Sequence, residues 1–359
     1  MTLPHVQQHR DGLVVTDRAS YGGIVVERVS VPDISADPRH AAAGEATRRE
    51  ISWINAELVA NPQWTAPEVV GDDAVKSLQP NNPMASWLFG AAPGLRLWRE
   101  QLVPAAIALT PLYEPETGHL PTGEPVDSKT REYFMHAYDA IGVRARAAIM
   151  SDMAGGHVGP DAGVTKWTSI ACGAAIPVLD AFRKHTSGRI ELSLVDIDQT
   201  ALEHARKHAL QRGLVEAVHF RLLRRNVIKD LMIGDRLVAE LGPESQDLVD
   251  MLGIFEYIDE DFAGFKSAAA FLANAFRMVK PGGALVAANM LDSHPHLQFI
   301  QRAIGWPRVF PRSLGQIRSI IIGAGIDPAW VRLRIAEDGI YAVFEIKKPN
   351  DDAGALPAV

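Results

Sequence analysis

Cysteine is nearly absent: Cys172 stands alone among 359 residues, so no disulfide can close within the chain. No apolar run approaches the roughly 18 residues a membrane span needs, and the first ten residues, Met1 to Arg10, lack the apolar core of a secretion signal. The expectation is a cytoplasmic protein with no membrane contact. Long basic runs are missing too. With 36 Lys and Arg against 43 Asp and Glu, the net charge is −7, which argues against a nucleic-acid partner. The 12 histidines are scattered, and no His or Cys cluster has zinc-binding spacing, so no metal is expected.

What is present is a globular composition, 47% hydrophobic and 22% charged, long enough for one large domain or two ordinary ones. Its organising stretch runs from Trp167 to Asp198. Trp167 to Ala171 is a short apolar run that suits a buried parallel strand. It ends in the turn Ala171-Cys172-Gly173-Ala174-Ala175. Ile176, Leu179, Ala181 and Phe182 then recur close to helical spacing. A second apolar run, Leu192 to Val195, stops abruptly at Asp196. Strand, glycine turn, helix, strand and acid together make a nucleoside pocket. Gly173 lets the backbone approach a ligand, and an acid at the tip of the next strand accepts hydrogen bonds from ribose hydroxyls. A dinucleotide fingerprint needs three glycines. Alanines at 171 and 175 take the place of two, so pyrophosphate is disfavoured and a smaller ligand favoured.

Upstream, Tyr21-Gly22-Gly23 between two short apolar runs reads as a hairpin turn. Ala41 to Ala60 has Ile51, Ile54 and Leu58 on one helical face, and Leu95 to Leu109 reads as a helix kinked at Pro104. The stretch Thr110 to Asp127 holds Pro111, Pro115, Pro121 and Pro125 with two glycines, a linker or mobile loop. Ser128 to Met153 reads as one long helix with Phe134, Ala137, Ile141, Ala145 and Ala148 as its apolar stripe. Downstream, strands at Val218–Leu223, Asp247–Leu252 and Ala284–Ala288 alternate with helices, the last of them ending at Lys280-Pro281-Gly282-Gly283. The strands Val331–Ile335 and Tyr341–Ile346 lie too close together to be anything but antiparallel. Asp250 falls inside a strand that should be apolar, and is either a buried, paired acid or the sign of a misplaced edge. The expected architecture is α/β: a Rossmann-like, seven-stranded, mostly parallel sheet with a C-terminal antiparallel hairpin, plus an N-terminal mainly helical region. The expected division is a helical lid or substrate region over 1–127, a connecting helix and loop over the pocket at 128–164, the nucleoside-binding domain at 165–348, and a disordered tail at 349–359.

From about Thr165 to Lys348, roughly half the chain, the sequence resembles the class I methyltransferases that use S-adenosylmethionine (SAM). Ala171 to Ala175 is similar to the family's glycine-rich first motif with two glycines replaced. Val195-Asp196-Ile197-Asp198 is similar to its acidic second motif, and Leu252 to Tyr257 to its fourth. Val279 to Gly283 looks like its common lead-in to the fifth strand. The resemblance implies SAM as cofactor, held by Ala171, Cys172, Gly173, Asp196, Ile197, Asn226, Val227 and Gly253. Asp196 would take the ribose, Asp198 would start a helix, and Asn226 would stand where the family often meets the adenine amino group. It also implies methyl transfer to a small metabolite. Asn289-Met290 and the run Trp306 to Arg312 resemble a bacterial subgroup with such substrates. A second implied reaction is cyclisation of the aminocarboxypropyl arm of SAM, as in azetidine-2-carboxylate or aminocyclopropane-carboxylate formation, with release of methylthioadenosine. A SAM-binding module without activity is a third reading, and a nicotinamide dehydrogenase, weakened by the lost glycines, a fourth. The partner in view is a small-molecule substrate, with a homodimer left open.

Methyl transfer from a sulfonium depends mainly on alignment and desolvation, and a base is needed only where the acceptor is protonated at attack. Tyr133 is the first candidate catalytic residue, because an aromatic face stabilises a sulfonium by cation–π attraction. Otherwise it packs beside the stripe of its helix. Tyr257, at the substrate edge, either lines the pocket or starts a helix. His294 is a candidate base, as are His157 and His296, all expected in loops near the pocket rim, where solvated histidines are the commoner case. Arg308 and Arg312 suit a substrate carboxylate, or surface or structural pairing. Cys172 is either a small filler in the turn or, less naturally, a nucleophile.

Overall fold

The computed structural model describes residues 13–71, 76–158, 164–185, 189–261, 267–307 and 309–350. The N-terminal region contains β1 (Val14–Tyr21), β2 (Ile24–Ser30), α1 (Ala41–Ala60), the small pair β3 (Glu68–Val70) and β4 (Ser77–Gln79), then α2 (Pro83–Ala91), α3 (Pro93–Gln101), α4 (Thr110–Tyr113), α5 (Ser128–His136) and α6 (Tyr138–Gly155). The sheet region follows: β5 (Val164–Ile170), α7 (Ile176–His185), β6 (Arg189–Asp196), α8 (Gln199–Gln211), β7 (Phe220–Arg224), α9 (Arg236–Leu241), β8 (Gln246–Met251), α10 (Ser267–Arg277), β9 (Val279–Met290), α11 (Leu314–Gly323), β10 (Val331–Ala336) and β11 (Tyr341–Lys347).

The main sheet has nine strands in the order β1-β2-β10-β11-β9-β8-β5-β6-β7. The five strands β7, β6, β5, β8 and β9 are parallel neighbours. β11 runs against both β9 and β10, because four residues between Ala336 and Tyr341 leave no room for a crossover. The alternation of strands and helices therefore yields the expected mostly parallel sheet with its reversed hairpin. The count differs from seven: the N-terminal hairpin adds two strands, since β2 pairs in parallel with β10. β1 and β2 thus complete the sheet rather than join the helical region. Every residue of β8 is buried, and the parallel core reads as continuous apolar runs because helices cover both faces. From β5 the chain winds outward through β6 and β7, then returns to place β8 and β9 on the other side. The switch point lies between β5 and β8, where open α/β sheets bind ligands.

Two expected helices are interrupted. The one expected over Ser128–Met153 breaks at Ala137, which is extended (φ −61°, ψ 139°). The carbonyls freed by the break are taken by Arg144, which donates to Phe134 O at 3.1 Å and Met135 O at 2.7 Å and pairs with Asp33. The one expected over Leu95–Leu109 ends at Gln101, and Ala106–Leu109 forms a separate 3₁₀ turn. The fifth strand runs longer than expected, from Val279 through the Lys-Pro-Gly-Gly segment to Met290. Asp127 caps α5, Asp198 caps α8 and Ser313 forms a capping box with Gln316 on α11. The expected tail beyond Asn350 lies outside the described residues. Among the described residues no helix is long and apolar enough to cross a membrane.

Candidate functional site

The turn after β5 carries three left-handed residues in alternation: Ala171 (φ 52°), Gly173 (φ 56°) and Ala175 (φ 59°). These are the positions where a glycine-rich turn would carry glycine, and two bear a β-carbon that this conformation disfavours. The backbone geometry has survived the loss of the residues suited to it, at an expected strain of about 1 kcal/mol or more per alanine. Gly173 retains the close approach. A Cβ there would lie 3.0 Å from Ala106 Cβ, on the 3₁₀ turn that covers it.

Asp196 closes the turn from the next strand. Its Oδ2 accepts the Gly173 N–H at 2.8 Å and its Oδ1 accepts the Asp198 N–H at 3.0 Å. The side chain is buried, and burial pushes its carboxyl up while those N–H groups pull it back. Each oxygen keeps a second acceptor site. In front of it opens a crevice of about 560 Å³, within the ~300–1,000 Å³ range of small-molecule pockets. Ala171, Cys172, Gly173, Asp196, Ile197, Asn226, Val227 and Gly253 all line it. Asn226 also starts the turn after β7, its Oδ1 accepting the Lys229 N–H at 3.1 Å. Burial, then the Asp196 and Asp250 carboxylates, push the Cys172 thiol well above its usual value, which disfavours a thiolate nucleophile. Asp250 is the buried, paired acid: it accepts from Trp167 Nε1 at 2.7 Å and Ser169 Oγ at 2.9 Å. Burial pushes its carboxyl up to about 7.

A second, inner cavity of about 70 Å³ adjoins the crevice. Leu109, Arg146, Gly253, Tyr257 and Trp306 line both. Aromatic pairs form the inner walls: Trp98 stacks on Trp306 with centroids 6.0 Å apart, and Tyr133 on Phe299 at 6.0 Å. Tyr133 lines the inner cavity but not the crevice, whereas Tyr257 lines both, its hydroxyl accepting Trp306 Nε1–H at 2.7 Å. Burial raises the pKa of both phenols, so they serve as neutral rings.

The structure corrects the expected place of the histidines at the pocket rim, and of the readings of Arg312 it shows structural pairing. His294 is buried and lines neither cavity; its Nδ1 accepts the His296 N–H at 3.0 Å, which leaves Nε2 as the donor to Asp139 at 3.2 Å. With both nitrogens engaged it has no acceptor site for a substrate proton. His157 pairs with Glu345 at 2.7 Å, and His296 meets Ser52 Oγ at 2.9 Å; neither lines the two cavities. Arg312 is fully buried and gathers Phe255 O, Ile258 O and Asn289 Oδ1, so it braces the loop after β8 rather than reaching a ligand. Arg308 lies outside the described residues. Among the described residues no group of three His, Cys, Asp or Glu side chains is placed to hold a metal.

Three site residues escaped the reading of the sequence. Tyr113 lines the crevice, and Arg146 and Glu256 form a buried ion pair at the inner cavity, Nη1 to Oε1, 3.3 Å. The signal for Arg146 was available: it shares a helical face with Val143, Ile149 and Met150, where a charge does not belong unless paired.

No family model and no curated protein matches the sequence. Among solved structures, one described as a possible exported protein from Bordetella parapertussis aligns with a TM-score of 0.56 at 18% identity, covering 89% of this chain and 100% of that one. The citrinin polyketide synthase CMeT domain gives 0.47 at 11% identity, covering 90% of this chain and 82% of that one. An O-methyltransferase family protein from Burkholderia thailandensis gives 0.42 at 17% identity, covering 63% and 62%. With its switch point between β5 and β8 and its reversed strand β11 inserted beside β9, the chain has the mixed α/β fold of the class I methyltransferases.

Proposed function

We propose that the crevice binds SAM and that the chain is a SAM-dependent transferase acting on a small molecule, with the N-terminal helices as lid and acceptor pocket. The observation that carries this reading is Asp196 at the tip of β6, bonded to the Gly173 N–H and facing the crevice at the switch point. The residues present fit the cofactor. The open acceptor sites on Asp196 suit a ribose diol, Asn226 and Val227 suit the base, and the cradle at Gly173 is one that a Cβ would fill. When bound, SAM supplies an activated methyl on a sulfonium. The chain's own part is to orient and to exclude water. Ala106 to Leu109 cover the turn, and Tyr257 and Trp306, locked to each other, wall the passage between crevice and inner cavity. Alignment of this kind is worth several kcal/mol of barrier.

The small inner cavity favours a second reading enough to keep it. Its 70 Å³ is about half the ~150 Å³ that admits a benzene, which suits the aminocarboxypropyl arm of SAM better than a separate acceptor ring. In that reading the arm cyclises and methylthioadenosine leaves. Incubation with SAM alone, followed by mass spectrometry of all products, separates the two. Methylthioadenosine without added acceptor establishes cyclisation. S-adenosylhomocysteine formed only with a small acceptor establishes methyl transfer. Absence of SAM binding by calorimetry rejects both.

A further inference from the structure

We propose that the small molecule this chain acts on is an aliphatic amine, whose ammonium group the Asp139 carboxylate receives in the inner cavity. The inference rests on the transferase reading of the crevice and deepens it by naming the substrate class. The inner cavity holds two acids, Asp139 and Glu256, and a single base, Arg146; apolar and aromatic residues make up the rest of its described wall. Arg146 is paired with Glu256. Asp139 therefore faces the cavity without a cation of its own. Its Oδ1 accepts His294 Nε2–H at 3.2 Å, and no other hydrogen bond or ion pair reaches it among the described residues. His294 is completely buried and is held from behind by the His296 N–H, so the carboxylate is fixed in place with Oδ2 open. A carboxylate in an apolar enclosure needs a charged partner. An ammonium brings both the charge and several N–H donors.

The rest of the cavity suits the same group. Trp98, Phe134, Tyr257, Phe299 and Tyr341 are among its lining, and aromatic rings attract a cation. Burial first, then Glu256 and Asp139, raise the phenols of Tyr257 and Tyr341, so both acids act across the cavity. A ligand anion would meet that field with the wrong sign, and a neutral alcohol would leave it uncompensated. The 70 Å³ available is too small for a ring, since a cavity that admits benzene has ~150 Å³, and suits a short alkyl chain. Gly253, Tyr257 and Trp306 line both cavities, which sets an amine held here beside the passage into the crevice.

The test uses the full chain in calorimetric titrations. S-adenosylhomocysteine is added first, to saturation, so that the nucleoside and its amino-acid arm are already in place. n-Propylamine, n-propanol and propionate, three probes of nearly one size, are then titrated in. Propylamine should bind about 10-fold or more tightly than propanol, as a hydrogen bond to a charged group implies. Propionate should bind no better than propanol, and none of the three should displace S-adenosylhomocysteine. Asp139→Asn, which keeps an oxygen for His294, should weaken propylamine by about 10-fold or more and leave propanol and S-adenosylhomocysteine as in wild type. Should that variant fail to fold, the preference of wild type for amine over alcohol still decides. Propylamine binding no tighter than propanol overturns the proposal. So does an amine affinity that survives Asp139→Asn, or an amine that competes with S-adenosylhomocysteine; in each case the nucleoside site stands. Failure of S-adenosylhomocysteine to bind wild type overturns the transferase reading, and the proposal with it.

Discussion

The two walls of the crevice are built by different means. The sheet wall is made of backbone: a strained turn held against one carboxylate by N–H groups, on a strand whose neighbours are all parallel. The helices behind the other wall are held together by long side chains that gather loose carbonyls. Arg144 collects those of Leu112, Phe134 and Met135; Arg302 collects those of Leu58, Asn61 and Trp64 at the end of α1; Arg312 collects two from the loop after β8. A backbone wall is set by local geometry and tolerates little change of position. Arginines behind a wall can join helices of almost any arrangement, which suits a surface that shapes a pocket for one particular ligand.

Acid should separate the walls most strongly. Burial holds His136 and His296, both packed with the helical wall, near 4, against about 6.5 in an unfolded chain. Between those values the unfolded chain binds the additional protons, so stability falls as pH drops from about 6.5 to about 4. Asp250 in the sheet has the opposite sign. Its carboxyl is raised to about 7, so the stability it contributes is complete below about 3.8 and is lost as pH rises toward 7. Hydrogen exchange at pH 7 and pH 5, corrected for the intrinsic rate, should show α1 and α5 losing protection while β5 and β8 keep theirs. Equal loss in both would erase the distinction.

Next in size is Asp196→Asn. It should weaken methylthioadenosine binding by about 100-fold, since hydrogen bonds to a charged acceptor contribute about 1.5–3 kcal/mol each, and leave the exchange of α1 and α5 as in wild type. A loss under threefold in a titration would mean that the sheet wall does not carry the nucleoside. The smallest expected effect is a gain: Ala171→Gly and Ala175→Gly should each raise stability by about 1 kcal/mol in chemical denaturation, because glycine accepts the left-handed conformation without a steric cost. The same substitution at Ala145 on α6 should lower it by a similar amount.

The same division decided what could be read in advance. The turn, the acid at the tip of β6 and the antiparallel hairpin follow from residue order and spacing, because a parallel strand and its glycine turn are local patterns. The helical wall resisted. The break at Ala137 depends on Arg144 and Asp33, which periodicity does not register, and it shifts the phase of everything after it. The stripe expected through Ile141 and Ala148 is therefore replaced by one through Ala140, Val143, Arg146 and Met150. His294 looked free because Asp139 and the His296 N–H meet it only in three dimensions. The two extra strands were hidden for a similar reason: the hairpin itself is local, but its partner is β10.

That last pairing has a consequence for how the protein is made. Val25 lies beside Arg332 and Val29 beside Ala336, so β2 cannot find its seat until β10, far along the chain, has been made. Until then β2 waits with an open edge, and a pairing so distant in sequence closes late in folding.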